Sequence, residues 1–152
     1  MAVEVETGRF TVGVFQDIAW AEKGIEALRK QGLVAESLSV IGKASPEMAA
    51  FIERQLGSPQ SFDVHDMGPA MARGPLVAAL QGSDQGLAKA GIAGTMRRVG
   101  FQPHDGRIFH VLTGRGGVLI AIHSEPRAAD ALAVLHSYGG GNAAIGAWTG
   151  RV

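Results

Sequence analysis

Five histidines, at positions 65, 104, 110, 123 and 136, are the side chains of this sequence suited to proton transfer near neutral pH. The chain has no cysteine, which removes a thiolate nucleophile, a disulfide framework and every Cys-based zinc or iron–sulfur site. No histidine lies in HExxH or another compact ligand motif. His65-Asp66 and His104-Asp105 are adjacent pairs in turn-forming sequence; neighbouring side chains seldom converge on one target, so both read as solvated turn residues. His123 is different. It stands where the strand-like run GVLIAI ends and a helix is due to begin, a place where a side chain lines a cleft beside helix N-terminal amides. His110, on the approach to that strand, could join it in a two-histidine metal or ligand site with a carboxylate such as Asp17 or Glu125. A surface or capping histidine is the competing reading of His123.

Arg115 sits in Gly114-Arg115-Gly116-Gly117, which has the glycine content of a phosphate loop but runs into a strand, whereas a phosphate-cradling loop runs into a helix. Arg115 is retained as a candidate ligand contact, and with Arg97, Arg98 and Arg107 it forms a local basic cluster that could hold an anion or complement a helix C-terminus. No nucleophile elbow, helical carboxylate pair or dinucleotide fingerprint is present, and the sequence names no cofactor.

The elements that must position these groups follow from periodicity. FTVGVF at 10–15 reads as a strand, Asp17 as the N-cap of a helix carrying Ile18, Ala21, Ile25 and Leu28, and Gly32 as its left-handed stop. SLSVIG at 37–42 is a second strand. The pattern recurs: Gly117–Ile122 strand, Ser124 cap, Ala128–Tyr138 helix, Gly139 stop and Ala143–Trp148 strand. A single gapless offset lays Phe15 on Ile122, Asp17 on Ser124, Leu28 on Leu135 and Gly32 on Gly139, so caps, core positions and stops fall in register.

Two such β-α-β units predict a ferredoxin-like α/β sandwich, four antiparallel strands with two helices on one face. The expected organisation is one domain over 1–152, with β-α-β units at 10–42 and 117–149 and a Gly/Ala-rich helical insert at 43–116. Within the insert, Ser45 and Pro46 start a helix to Leu56, Gly57–Gly68 reads as loop, a helix runs from Pro75 to about Val99 with a break near Gly82, and Pro103 and Gly106 force a turn before Arg107–Leu112. Gly74, Ala78, Gly82, Gly86, Ala90 and Gly94 recur at every fourth residue, a small-residue stripe for close helix packing. Trp20 and Trp148 read as packing residues.

The stretch FTVGVFQDIAWAEKGIEALRKQGLVAESLSVIGK resembles the opening β-α-β of the bacterial general-stress, heat-induced protein domain, through Val12–Phe15, Ala21, Ile25, Leu28, Gly32 and Leu38–Gly42. Arg115-Gly116-Gly117-Val118-Leu119-Ile120 and the Gly/Ala-rich middle are similar too, whereas the insert and His123 depart from the pattern. The resemblance implies a stress-linked bacterial protein without an established catalytic role, and it carries over no functional residue.

Composition narrows the function classes. Fourteen Lys and Arg balance fourteen Asp and Glu, so the basic excess of a nucleic-acid binder is missing. No apolar run reaches the roughly 18 residues of a membrane span. MAVEVETGRF carries acids and lacks the apolar core of a secretory signal, which leads to a cytoplasmic expectation. Taken with the repeat and the absent catalytic motif, the resemblance implies a non-enzymatic, stress-related, self-associating interaction module, expected as a homo-oligomer without nucleic acid. Two alternatives stay open: a small-ligand- or metal-dependent enzyme with a pocket between sheet and insert, using His123 and His110, and a peripheral membrane protein docking through the insert.

Overall fold

The computed structural model describes residues 10–32, 35–99 and 101–123. They form a mixed α/β unit with five strands, β1 Thr11–Phe15, β2 Leu38–Lys43, β3 Gln60–Val64, β4 Gly68–Arg73 and β5 Val118–Ile122. The five helices are α1 Ile18–Lys30, α2 Pro46–Gln55, α3 Pro75–Gln81, α4 Gly86–Thr95 and α5 Pro103–Gly114. The sheet order is β1-β5-β2-β4-β3, and every neighbouring pair is antiparallel. Because β5 opposes both β1 and β2, those two are parallel to each other with β5 between them, and β1-α1-β2 is a split crossover.

Local chemistry explains the elements of the first unit. Asp17 accepts a hydrogen bond from the Trp20 amide at 2.9 Å and so starts α1, and Gly32 follows its end at φ 95°. Ser45 accepts from the Met48 amide at 3.0 Å, and Pro46 opens α2. Both helices lie on one face of the sheet, where Ile25, Leu28, Phe51 and Ile52 pack on Phe15, Val40 and Ile120. Arg54 with Glu22, and Arg29 donating to the Gln55 carbonyl at 2.9 Å, tie the two helices along their exposed side.

The insert departs from expectation in three ways. Residues 57–68, read as loop, contain β3 and the turn into β4, so the insert widens the sheet instead of being wholly helical. The reason is that β3 is an edge strand with Gln60, Ser61 and Asp63 exposed, and its polar surface hid the alternation. Next, the break expected near Gly82 is present over 82–85, with Gly82 at φ 57° and Gln85 at φ 58°, but the chain is kinked again at Gly91, so Gly74, Gly82, Gly86 and Gly94 form no single stripe. Finally, Pro103 does not force a turn but occupies the first turn of α5, which runs unbroken to Gly114.

The insert helices after β4, α3 to α5 with the short turn at Met96, cover the opposite face of the sheet, where Leu76, Leu80, Leu87, Met96 and Phe109 bury Val12, Val14, Ile41, Leu119 and Ala121. The sheet is thus covered by helices on both faces, unlike the one-sided arrangement expected from the repeat. The predicted Ser124 cap, Ala128–Tyr138 helix, Gly139 stop and Ala143–Trp148 strand lie outside the described residues, as do Glu125, His136 and Trp148.

Docking of α3 onto β2 rests on one buried hydroxyl. Gly74, which precedes α3, has no side chain to cap it, and Ser39 of β2, fully buried, accepts a hydrogen bond from the Leu76 amide at 2.9 Å. Replacing Ser39 by Ala leaves that amide without its acceptor in the interior. Ser39→Ala is expected to cost about 1–2 kcal/mol, read as a lower urea midpoint at unchanged slope; an unchanged midpoint would show that the contact contributes nothing.

Candidate functional site

Strand directions sort the candidate residues to two ends of the sheet. Phe10, Ser37, Arg73 and His123 belong to the end where β1, β2 and β3 begin and β4 and β5 finish. Asp17 and Arg115 belong to the other, after β1 and before β5. The five residues of β1 or β5 span about 17 Å, so Asp17 cannot complete a site with His123, contrary to the expectation. The side chain of Asp17 is engaged in capping α1. Arg115 follows α5 at its C-cap and borders a cleft of about 130 Å³ with Phe15, Gln16 and Leu112, also distant from His123.

His123 donates its backbone amide to the Ser37 carbonyl at 2.8 Å and stacks its ring on Phe10 with centroids 4.7 Å apart. It is a half-buried residue closing the end of β5. His110 lies on α5, half-buried, with Nδ1 enclosed and without a hydrogen-bond partner. Among the described residues no three His, Asp or Glu side chains stand close enough together to hold a metal ion. His65 and Asp66 form an exposed pair, Nε2 to Oδ2 3.6 Å, in the turn between β3 and β4, as a solvated turn requires. His104, by contrast, lies in the first turn of α5. Trp20 is 37% exposed, with Lys23 Nζ 4.7 Å from its ring centroid, so it is a surface residue and not the packing residue expected.

The structure brings forward two arginines that sequence reasoning did not single out for these roles. Arg73, at the end of β4, donates from Nε to the Leu56 carbonyl at 3.1 Å and from Nη1 to the Ser58 carbonyl at 2.9 Å. The guanidinium thereby satisfies carbonyls left over at the end of α2 and fixes the path into β3. It also walls a cleft of about 530 Å³ with Glu36, Leu56, Gln60, Gly74 and Pro75. A held cation on the wall of an open cleft can receive a carboxylate or phosphate oxygen. No spacing rule links Arg73 to Leu56 or Glu36; only the β3–β4 hairpin does.

Arg98, part of the predicted basic cluster, is not available to an external anion in the same sense. It donates to both oxygens of Asp84, Nη1 to Oδ1 at 2.9 Å and Nη2 to Oδ2 at 2.7 Å, and from Nη1 to the Leu80 carbonyl at 3.0 Å. The side chain passes through the break between α3 and α4. A methyl group on Gly82 would lie 2.8 Å from Arg98 Nη1, and one on Gly86 would lie 2.6 Å from it and 2.5 Å from the Leu80 carbonyl. Two glycines of the presumed packing stripe thus make room for a guanidinium, not for another helix.

The Arg98 hydrogen bonds hold the Asp84 carboxyl below the ordinary carboxylate range, against a smaller opposing effect of desolvation. With the folded pKa lower than the unfolded one, the stabilisation is complete above the unfolded value and is lost as pH falls through the folded value. Thermal melts of the unaltered chain and Asp84→Asn are expected to differ at pH 6 and to converge as the pH falls through the lowered folded value. A gap that persists unchanged at low pH would refute the linkage.

Among the described residues no helix is long and apolar enough to cross a membrane. Comparison with protein-family models, with curated proteins and with solved structures finds no match to this chain.

Proposed function

We propose that this chain is a non-enzymatic, self-associating interaction module of ferredoxin-like ancestry, acting in the bacterial cytoplasm in the stress context that its resemblance implies. The split β1-α1-β2 crossover with β5 between its strands supports the ferredoxin-like part of the reading. In that fold the last strand of the second unit completes the repeat beside β1.

The observation that carries self-association is the β3 edge. Among the described residues β3 is hydrogen-bonded to β4 on one side only, and Gln60, Ser61 and Asp63 are exposed along it. An antiparallel edge is a template for a further strand, and a second copy supplies one at the same concentration as the first. Sedimentation equilibrium over a wide protein range is expected to show a reversible, concentration-dependent increase in mass; a single monomer mass up to millimolar protein would overturn the reading.

The Arg73 cleft favours a second reading, in which the module also binds a small organic anion. The site is then Arg73 with Leu56 and Pro75, in a cleft that Glu36 also lines, in place of the pair His110 and His123. Titration with benzoate and with inorganic phosphate, followed by amide chemical shifts, is expected to move Arg73, Gly74 and Gln60 together. Shifts absent there with both probes would dismiss an anion site.

A further inference from the structure

The register of the sheet says which backbone groups β3 offers to a partner. The Ala44 amide donates to the Pro69 carbonyl at 3.1 Å, so residue 69 of β4 turns its backbone groups toward β2. Alternation along β4 then turns residues 68, 70 and 72 toward β3, where they oppose Val64, Phe62 and Gln60. Those three residues spend their backbone groups on β4. Ser61 and Asp63 turn theirs outward, and so does His65, whose amide donates to the Leu87 carbonyl of α4 at 2.9 Å. That independent contact fixes the same alternation. It also closes the edge, because the Gly91 kink seats α4 against the His65 carbonyl, 2.8 Å from where a Gly91 side chain would begin.

The open edge is therefore short. Its outward groups are the amide and carbonyl of Ser61 and of Asp63, bounded by α4 at His65 and on the other side by Pro59, which has no amide hydrogen. Three two-fold antiparallel registers would use them. Centring the axis on Asp63 sets two aspartates opposite each other, and centring it on Ser61 sets Asp63 opposite Pro59, which cannot donate. Centring it on Phe62 pairs Ser61 with Asp63 of the second copy, twice, so that the amides and carbonyls of both residues are all partnered.

We infer that two copies of this chain join β3 to β3 about a two-fold axis at Phe62, making one continuous sheet that unites the five described strands of each copy. The inference rests on the self-association reading and names its surface. Each Ser61–Asp63 pair exchanges two backbone hydrogen bonds, and each carboxylate faces a hydroxyl. The Phe62 residues meet as a non-hydrogen-bonded pair, with α-carbons about 4.5 Å apart. Phe62 already packs against the insert core, so its ring extends that core toward the partner. The partner strand ends opposite Val64, at Gln60, where β3 itself begins.

Charge changes at position 61 test the register without touching the bonds to β4. Ser61→Lys places an ammonium opposite each Asp63 and is expected to tighten dimerisation about threefold or more, a gain removed by high salt. Ser61→Asp places like charges opposite each other and is expected to weaken it by a similar factor. In the unaltered chain, amide exchange at Ser61 and Asp63 is expected to slow as protein concentration rises. Were the chain to dimerise while Ser61→Lys weakened it or changed nothing, the Phe62-centred register would be wrong and self-association would stand. Were no dimer found in any of the three proteins, both would fall. Circular dichroism melts of the variants establish that each is folded.

Discussion

The architecture is governed by the need to keep β5 dry on both faces. All five of its residues, Val118–Ile122, are fully buried, with Val118, Ile120 and Ile122 on one side and Leu119 and Ala121 on the other. A strand apolar on both faces belongs in the interior of a layered structure. Helices α1 and α2 shield one face, and the part of the insert after β4, helices α3 to α5, has to shield the other. Those helices are thus the second outer layer of the molecule, and the hairpin of the insert widens the sheet on which they rest.

Arginines tie neighbouring elements together by donating to backbone carbonyls as well as to carboxylates. Arg29 reaches the Gln55 carbonyl, Arg73 those of Leu56 and Ser58, and Arg98 that of Leu80. A guanidinium has five donors in a rigid fork and suits the unsatisfied carbonyls at helix ends. Zero net charge does not mean that charge is idle here. Basic side chains that look like an anion-binding cluster in the sequence are in part consumed in holding the chain's own turns.

Features set by residues close in sequence were readable before the structure. Asp17, Ser45 and Pro46 act on amides within one helical turn, and the apolar runs at 11–15, 38–42 and 118–122 can only be strands of a buried sheet. Contacts across tens of residues were not. Nothing in the neighbourhood of Ser39 announces that it caps α3, and nothing near Gly82 or Gly86 points to Arg98. β3 escaped notice because an edge strand exposes what an interior strand hides. The separation of Arg115 from His123 has a related cause: the two flank the same strand in the sequence, and an extended strand separates its two ends as widely as five residues can.

The placing of β5 between β1 and β2 also has a consequence for the order in which the molecule is made. β1 and β2 are made before the strand that joins them, which comes after the entire insert, and neither pairs with the other. The β2-β4-β3 part of the sheet can assemble while the chain is still growing, but β1 has no described neighbouring strand until residue 118 is available. A nascent chain therefore holds a largely apolar strand with α1 in waiting. Closing that gap involves pairing of high sequence separation, which makes it a slow step, and until it is complete the chain presents the kind of surface that chaperones bind.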